Sequence, residues 1–475
     1  MPEGQPFLPQ FRAQLASYGL RRSLLKTRAH TLSSLEALAG PALPNVSLSP
    51  SDAGINSRER IYSFRRVFWC FLWQMLNPQT SGREVVRQLQ ALFGLQGLGK
   101  NSSSDSAFCQ AKARLPVALL KTALIDSAHC ADKRAGTLCY PGLSREVVVV
   151  DGSTTTGADT AQNQKRFPQS RSQAPGCGFP LVKFVVLFGL ARGAIRDLVI
   201  GNKHTHELRL FRRVWQKLKS GMILLADCGF SDYCTLGDLA HRGIDVITRL
   251  HQRRDPDARL GRRLGPGERL RVFTKPILRP ASLFKRIWNR LPPEITVRLI
   301  TVKVQRKGFR PGLITLATTL LDVKVYPREM IEDLYLRRWK LELCLKDIKT
   351  TMGMEELRSK SPAMIEKEIY AYLVAYNLIR WIMTDAAREH SVALDRVSFK
   401  GSVDAVRHFS LALGVAKAGK RRRELYAILL ESLAEDLIPE RPGRREPRAV
   451  KRRPKPFALL TKHRRCYRET LHRNK

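Results

Sequence analysis

Paired cysteines are missing from this sequence. Its nine cysteines are an odd number, and no two stand as Cys-x-x-Cys, which argues against a disulfide framework and against a structural zinc site. Long apolar runs are missing too. The longest near the start, VFWCFLWQML at 67–76, ends at Asn-Pro and is far short of the ~20 residues a membrane-spanning helix needs. No N-terminal stretch has the charged, apolar and small-residue order of a secretory signal. The expected setting is therefore the cytoplasm, with reduced thiols and no membrane partner. Acidic residues are scarce: 42 Asp and Glu stand against 83 Lys and Arg, a net charge of +41. A surface so charged repels itself, and a polyanionic partner, nucleic acid first, is the economical explanation.

What is present fits a globular chain, with 43% hydrophobic and 26% charged residues. At ~100–200 residues per domain, its length calls for more than one core. Residues 1–57 read as a flexible segment holding the Pro/Ser/Asn-rich stretch PALPNVSLSPSDAG. Residues 58–135 read as a helical N-terminal domain. There REVVRQLQALFGL (83–95) is amphipathic, GLGKNSSSD turns, and SDSAFCQAKARLP (104–116) starts at a Ser/Asp cap and stops at Pro116. A helix-turn-helix of this kind makes Gln110, Lys112 and Arg114 candidate DNA readers; two helices of a plain bundle give the same pattern.

The pattern changes at residue 146. EVVVVDGS reads as a buried strand with its carboxylate at the exit, and KFVVLFGL (183–190) with AIRDLVI (194–200) as a hairpin. A helix over 206–220 follows, then the strand MILLADCGF (222–230), a short helix (231–241) and the strand IDVITRL (244–250). Strands alternating with helices predict an α/β sheet. Residues 252–325 break the alternation with β-branched segments such as EITVRLITVKVQ and GLITLATTLLD, and read as a β-rich insertion. Helices resume after Pro327 and continue over 366–387 and 423–438. The tail, 440–475, carries 14 Lys and Arg against 3 Glu and reads as a basic disordered arm suited to phosphate contacts.

Two acids sit where strands are expected to end, Asp151 and Asp227, at the edge of an α/β sheet where functional groups gather. Either alone is equally a turn-former. A third acid lies in YLRRWKLELCLKDIK (335–349). At ~100° per residue a helix there sets Tyr335, Arg338, Glu342 and Lys349 within about 60° of one another. Beside them runs the apolar stripe Ile331, Leu334, Leu341, Leu345 and Ile348. Three carboxylates suit magnesium or manganese, and two such ions ~3.5–4 Å apart serve phosphodiester displacement. Flanking Tyr, Arg and Lys suit a grip on phosphates. His204 and His206 have a ligand-like spacing but read as surface residues, and Cys228 and Cys234 as small buried ones.

The spacing Tyr-x2-Arg-x3-Glu-x6-Lys resembles the signature of DDE transposases of the insertion-sequence 4 family. DGSTTTGADTAQNQKRFPQS (151–170), with its Asp-Thr, Asn and Phe-Pro-Gln elements, is similar to the segment around that family's first Asp, and DCGF (227–230) to that around its second. The resemblance spans roughly residues 60–460. It implies a ribonuclease-H-like catalytic core (140–251 and 326–390) interrupted by the β-rich insertion (252–325). The helical N-terminal domain would bind DNA, and C-terminal helices (391–439) would precede the tail. It implies Asp151, Asp227 and Glu342 as ligands of two Mg2+ or Mn2+ ions, and Tyr335, Arg338 and Lys349 as contacts to double-stranded transposon-end DNA. A homodimer on the terminal inverted repeats, in the bacterial cytoplasm at the nucleoid, completes the implied picture. Trp288, the one Trp of the insertion, reads first as insertion core and second as the candidate for base stacking in a hairpin route. Two rival readings share the same features: an inactive DNA-binding repressor, and a nuclease that cuts without strand transfer.

Overall fold

A computed structural model of the chain describes residues 34–46, 61–95, 102–133, 142–251, 261–281, 283–304, 312–416, 419–439, 459–463 and 466. Most of the N-terminal segment and of the basic tail thus lies outside the described residues. The chain divides into two compact units, one made of residues 1–126 with 381–438 and the other of 127–380 with 439–475.

In the first unit a short helix α1 (Ser34–Ala39) precedes α2 (Phe64–Leu76), α3 (Gly82–Leu95), α4 (Ser106–Arg114) and the start of α5 (Val117–Lys133). Ser63 starts α2 by accepting from the Arg66 amide at 3.4 Å. Its inward stripe of Val67, Phe68, Phe71 and Leu72 is buried. Of the Ser/Asp cap expected for α4, Ser104 serves, its Oγ accepting from the Ser106 amide at 3.3 Å. Asp105 makes no side-chain bond to the helix start; its carboxylate lies instead against Gly82 at the head of α3.

The second unit is built on a nine-stranded sheet of order β3-β2-β1-β4-β5-β9-β8-β7-β6. β1 (Val147–Thr156), β2 (Leu181–Gly189) and β3 (Ile195–Asn202) form an antiparallel meander, with α6 (Ala161–Arg166) between the first two. After α7 (Glu207–Val214), strand β4 (Ile223–Ala226) returns parallel to β1. After α8 (Tyr233–His241), strand β5 (Asp245–Arg249) lies parallel to β4. The helix expected over 206–220 is shorter, because the chain tightens into a 3₁₀ turn at Trp215–Lys217.

The β-rich stretch extends this same sheet. β6 (Arg262–Gly265), β7 (Glu268–Thr274), β8 (Glu294–Val304) and β9 (Gly312–Thr318) are antiparallel neighbours, with α9 (Lys285–Arg290) between β7 and β8. β9 pairs with β5 through Ile247 and Thr318. One face of the sheet buries Val148, Val150, Leu224 and Val246 with Phe211, Val214 and Leu239 of α7 and α8. On β1, β4 and β5 lies α10 (Arg328–Lys346). Its expected apolar stripe, Ile331, Leu334, Leu341, Leu345 and Ile348, is buried throughout. The long helix α11 (Pro362–Glu389) follows, and α12 (Phe399–Val415) with α13 (Lys420–Glu435) complete the first unit.

Arg298 on β8 is fully buried and pairs with buried Glu268 on β7. Its Nη1 also donates to the Tyr326 carbonyl at 2.7 Å, tying the sheet to the loop that feeds α10. Breaking a buried ion pair strands a charge, whereas replacing both partners by apolar groups does not. Arg298→Ala is expected to lower stability by roughly 3–5 kcal/mol in urea unfolding. The Glu268→Leu/Arg298→Met double variant is expected to recover most of that loss; a double variant as unstable as the single would contradict the assignment.

Candidate active site

Asp151 does not end its strand, contrary to the sequence expectation. β1 runs on to Thr156, because Gly152–Thr156 keep pairing with β2 down to Leu181. What ends near Asp151 is the parallel neighbour. β1 and β4 pair as Val147 with Ile223 and Val149 with Leu225. Continued by two residues, that register sets Asp151 beside Asp227. β4 and β5 pair as Ala226 with Thr248, so the next step sets Asp227 beside Arg249. Paired residues of neighbouring strands share a face. The row Asp151–Asp227–Arg249 therefore points to one side of the sheet, the side on which α10 lies.

Asp227 also loses its innocent reading as a turn-former. Its carboxylate does not cap the 3₁₀ turn Cys228–Phe230; backbone and Thr248 hold the place, with the Thr248 hydroxyl donating to the Asp227 carbonyl at 3.1 Å. Cys234 is buried as expected, and Cys228 is half-buried beside Asp227.

Helix α10 brings the third acid. Arg338 donates to Glu342 Oε1 at 3.1 Å, with the arginine side chain buried and the glutamate side chain 53% exposed. The Arg338 guanidinium carbon stands 5.6 Å from the Tyr335 ring centre. Burial works against the Arg338 charge, but Tyr335, Asp227, Glu342 and Asp151 together outweigh it and raise its pKa. The cation thus acts electrostatically on all three acids and the phenol at once. Burial pushes the Tyr335 phenol up to about 12, with Arg338 opposing and Asp227 adding to the rise. Burial likewise pushes the Asp151 carboxyl up to about 6. The Gly152 amide and Arg338 lower it, while Glu342 and Glu207 raise it further.

Lys349 stands apart from this group. α10 ends at Lys346 and the chain widens into a π-helical turn over Asp347–Thr351, so the uniform 100° step used to place Lys349 on the stripe fails there. The Lys349 side chain is half-buried and no carboxylate among the described residues pairs with it. Gln110 and Arg114 are exposed on α4. Lys112 is not an outward reader: its ammonium lies 4.8 Å from the Phe71 ring centre and 5.5 Å from that of Phe108. Trp288 is half-buried and packs against the sheet core, with the Lys275 ammonium 4.6 Å from its ring centre. His206 caps α7 through Nδ1, which accepts from the Leu208 amide at 3.3 Å, and His204 is exposed.

Two residues escaped the sequence reading. Arg249 was findable from the offsets alone, since VVVVD, ILLAD and VITR align as strand ends. Glu207 presses its carboxylate on Gly152, where Oε1 leaves no room for an added Cβ. A glycine one step after an acid inside a strand signals such a close approach.

With that geometry in hand, comparison with known proteins is decisive. Residues 142–378, the stretch that holds the acid row and α10, match the family described as "Transposase DDE domain". Over 428 residues the chain is 27% identical to the transposase InsG for insertion sequence element IS4 of Escherichia coli (strain K12), covering 89% of this chain and 92% of that one. The chain belongs to the insertion-sequence 4 family of DDE transposases. A solved piggyBac transposase synaptic complex with hairpin DNA overlaps 89% of this chain and 87% of its own, at 10% identity and a TM-score of 0.40; that likeness is too slight to bear on fold or chemistry. No helix among the described residues of this transposase is long and apolar enough to cross a membrane.

Because burial raises the Asp151 carboxyl in the folded transposase, its charge opposes folding above about pH 6. Asp151→Asn, in the absence of divalent cations, is expected to stabilise the chain at about pH 8 by on the order of 1 kcal/mol. The gain shrinks as pH falls through about 6 and vanishes below about 4, where the carboxyl is protonated in folded and unfolded chains alike. Urea unfolding across that range checks it; an Asn variant less stable at the alkaline end would contradict it.

Proposed function

We propose that this transposase cuts DNA at the terminal inverted repeats of its element and joins the freed 3′-hydroxyl to a target. In this reading Asp151, Asp227 and Glu342 are the metal ligands of a ribonuclease-H-like core. The observation that carries it is the placement of a half-buried Asp151, its carboxyl raised first by burial, in register with Asp227, both acting on the cation that also holds Glu342. The strand order, a three-strand meander followed by two parallel strands, supports the core assignment.

The donor set fits a divalent ion. All three donors are hard carboxylates, the kind Mg2+ and Mn2+ select, and to the rise that burial gives the Asp151 carboxyl, Glu342 and Glu207 add a repulsion that a bound cation would relieve. Among the described residues no three such groups are gathered to hold an ion as they stand, and Glu342 accepts from Arg338. Bound there, the ions supply activation of the attacking oxygen and stabilisation of the leaving one.

The rest falls to the chain itself. Asp151 and Asp227 sit on rigid neighbouring strands and keep their spacing. Arg338, released by Glu342, is left with a planar fork suited to a phosphate, and Tyr335 holds its hydroxyl beside it. Arg249 adds a second cation at the end of the row. Lys349, which pairs with no carboxylate among the described residues, is assigned to the DNA strand one step away. The high positive charge attracts duplex DNA, and a homodimer would bring two ends together for synapsis.

A labelled duplex from the gene's flanking terminal repeats, incubated with the full chain and magnesium, tests the reading. Asp227→Ala and Glu342→Gln are each expected to slow cleavage by more than the roughly 10–100-fold typical of losing an outer-shell partner, with duplex binding retained. Cleavage unchanged by Asp227→Ala would sink the assigned site. Binding without cleavage by the unaltered chain would favour a repressor, and cutting without joining a nuclease.

A further inference from the structure

The elements Asp159-Thr160, Asn163 and Phe167-Pro168-Gln169 play no part in the acid centre, yet they shape one piece of structure. Thr160 accepts from the Asn163 amide at 3.2 Å and donates to the Lys360 carbonyl at 2.9 Å. Asn163 is buried and donates to the carbonyls of Ala158 and Ser359 at 2.9 and 3.0 Å. Gln169 acts as a backbone substitute for the loop that follows. Its Oε1 accepts from the Gly176 and Gly178 amides, each at 3.1 Å, and its Nε2 donates to the Gln173 and Ala174 carbonyls at 3.1 and 2.8 Å. With Thr160, Asn163 and Gln169 spent on scaffolding, the loop is held open over a cleft of about 910 Å³.

The lining of that cleft mixes apolar surface with polar and basic side chains and is poor in acid. Arg171, Gln173, Ser170, His204 and His463 face it, and its one carboxylate, Asp159, accepts from Gln164 Nε2 at 2.9 Å. Lys203 reaches the rim, donating to Ser170 Oγ at 3.3 Å. The C-terminal segment supplies the far wall: the Cys177 thiol donates to the Lys462 carbonyl at 3.1 Å, and the His463 ring packs on Gly176. Gly176 has φ +75°, so both its conformation and this contact exclude a side chain.

The cleft shares its footing with the acid centre. Segment 354–360, which follows the turn bearing Lys349, bonds to the end of β1: the Thr156 amide donates to Glu355 O at 3.1 Å and the Leu357 amide to Thr156 O at 2.8 Å. Five residues of strand separate Asp151 from Thr156, or ~17 Å at ~3.3 Å per residue. At ~3.4 Å per base pair of duplex, that is about five base pairs.

We propose that this cleft is a second DNA-contact site of the transposase, taking the sugar–phosphate backbone about five base pairs from the scissile phosphate. The inference rests on the acid row being the cutting centre. Cations on a rigid, acid-poor wall are what backbone contact requires, and such contacts fix position without reading sequence.

The test uses the full chain and the exposed double variant Arg171→Ala/Lys203→Ala on the terminal-repeat duplex. Loss of two phosphate contacts is expected to weaken binding at low salt by roughly tenfold and to flatten the log affinity against log salt slope by about 1.8. Hydroxyl-radical protection is expected to fade at sugars roughly four to six base pairs from the cut while protection at the cut itself stays. An unaltered chain that cuts the duplex, with a variant whose slope and footprint match it, overturns the cleft assignment alone. A chain that leaves the duplex uncut in magnesium overturns the cutting-centre reading instead.

Discussion

A single buried cation organises the site. Arg338 is carried on α10 by an apolar stripe that seats on β1, β4 and β5, and its guanidinium acts electrostatically on Asp151, Asp227, Glu342 and Tyr335 together. Without it, the half-buried Asp151 would keep only the Gly152 amide to offset burial and its acidic neighbours. That is an expensive arrangement. Arg338 lowers the Asp151 carboxyl against that burial, and it holds the exposed Glu342.

Much of this was legible in the sequence, for reasons that can be named. Asp151 and Asp227 follow apolar β-branched runs, and the polar stripe of α10 follows from helical period once its apolar stripe is recognised. Convergence was less legible, since it depends on strand register. Only the pairing of Val149 with Leu225 and of Ala226 with Thr248 brings Asp151, Asp227 and Arg249 level. Local rules failed where tertiary contacts outbid them. Asp105 left its cap for Gly82, Lys112 turned in over two phenylalanines, and the helix bearing Glu342 opened into a π-helical turn before Lys349.

The same sheet ties chemistry to positioning. β1 carries Asp151 and runs on to the loop scaffolded by Asn163 and Gln169, while the chain leaving α10 returns to bond with the end of β1. Movement of the acid row relative to the cleft would break these backbone bonds, so the scissile phosphate and the flanking duplex are measured against one rigid frame. The buried Arg298–Glu268 pair plays a comparable part at the other end of α10, fixing the loop through which the helix is entered.

The central claim is that Asp151, Asp227 and Glu342 form one cation site. Titration of the full chain with manganese, followed by electron paramagnetic resonance, reads this without requiring any substrate. The account predicts that the unaltered chain binds manganese and that Asp151→Asn and Asp227→Asn each abolish the same binding, while Asp159→Asn in the cleft leaves it intact. Manganese binding unchanged by both substitutions in the row would contradict it.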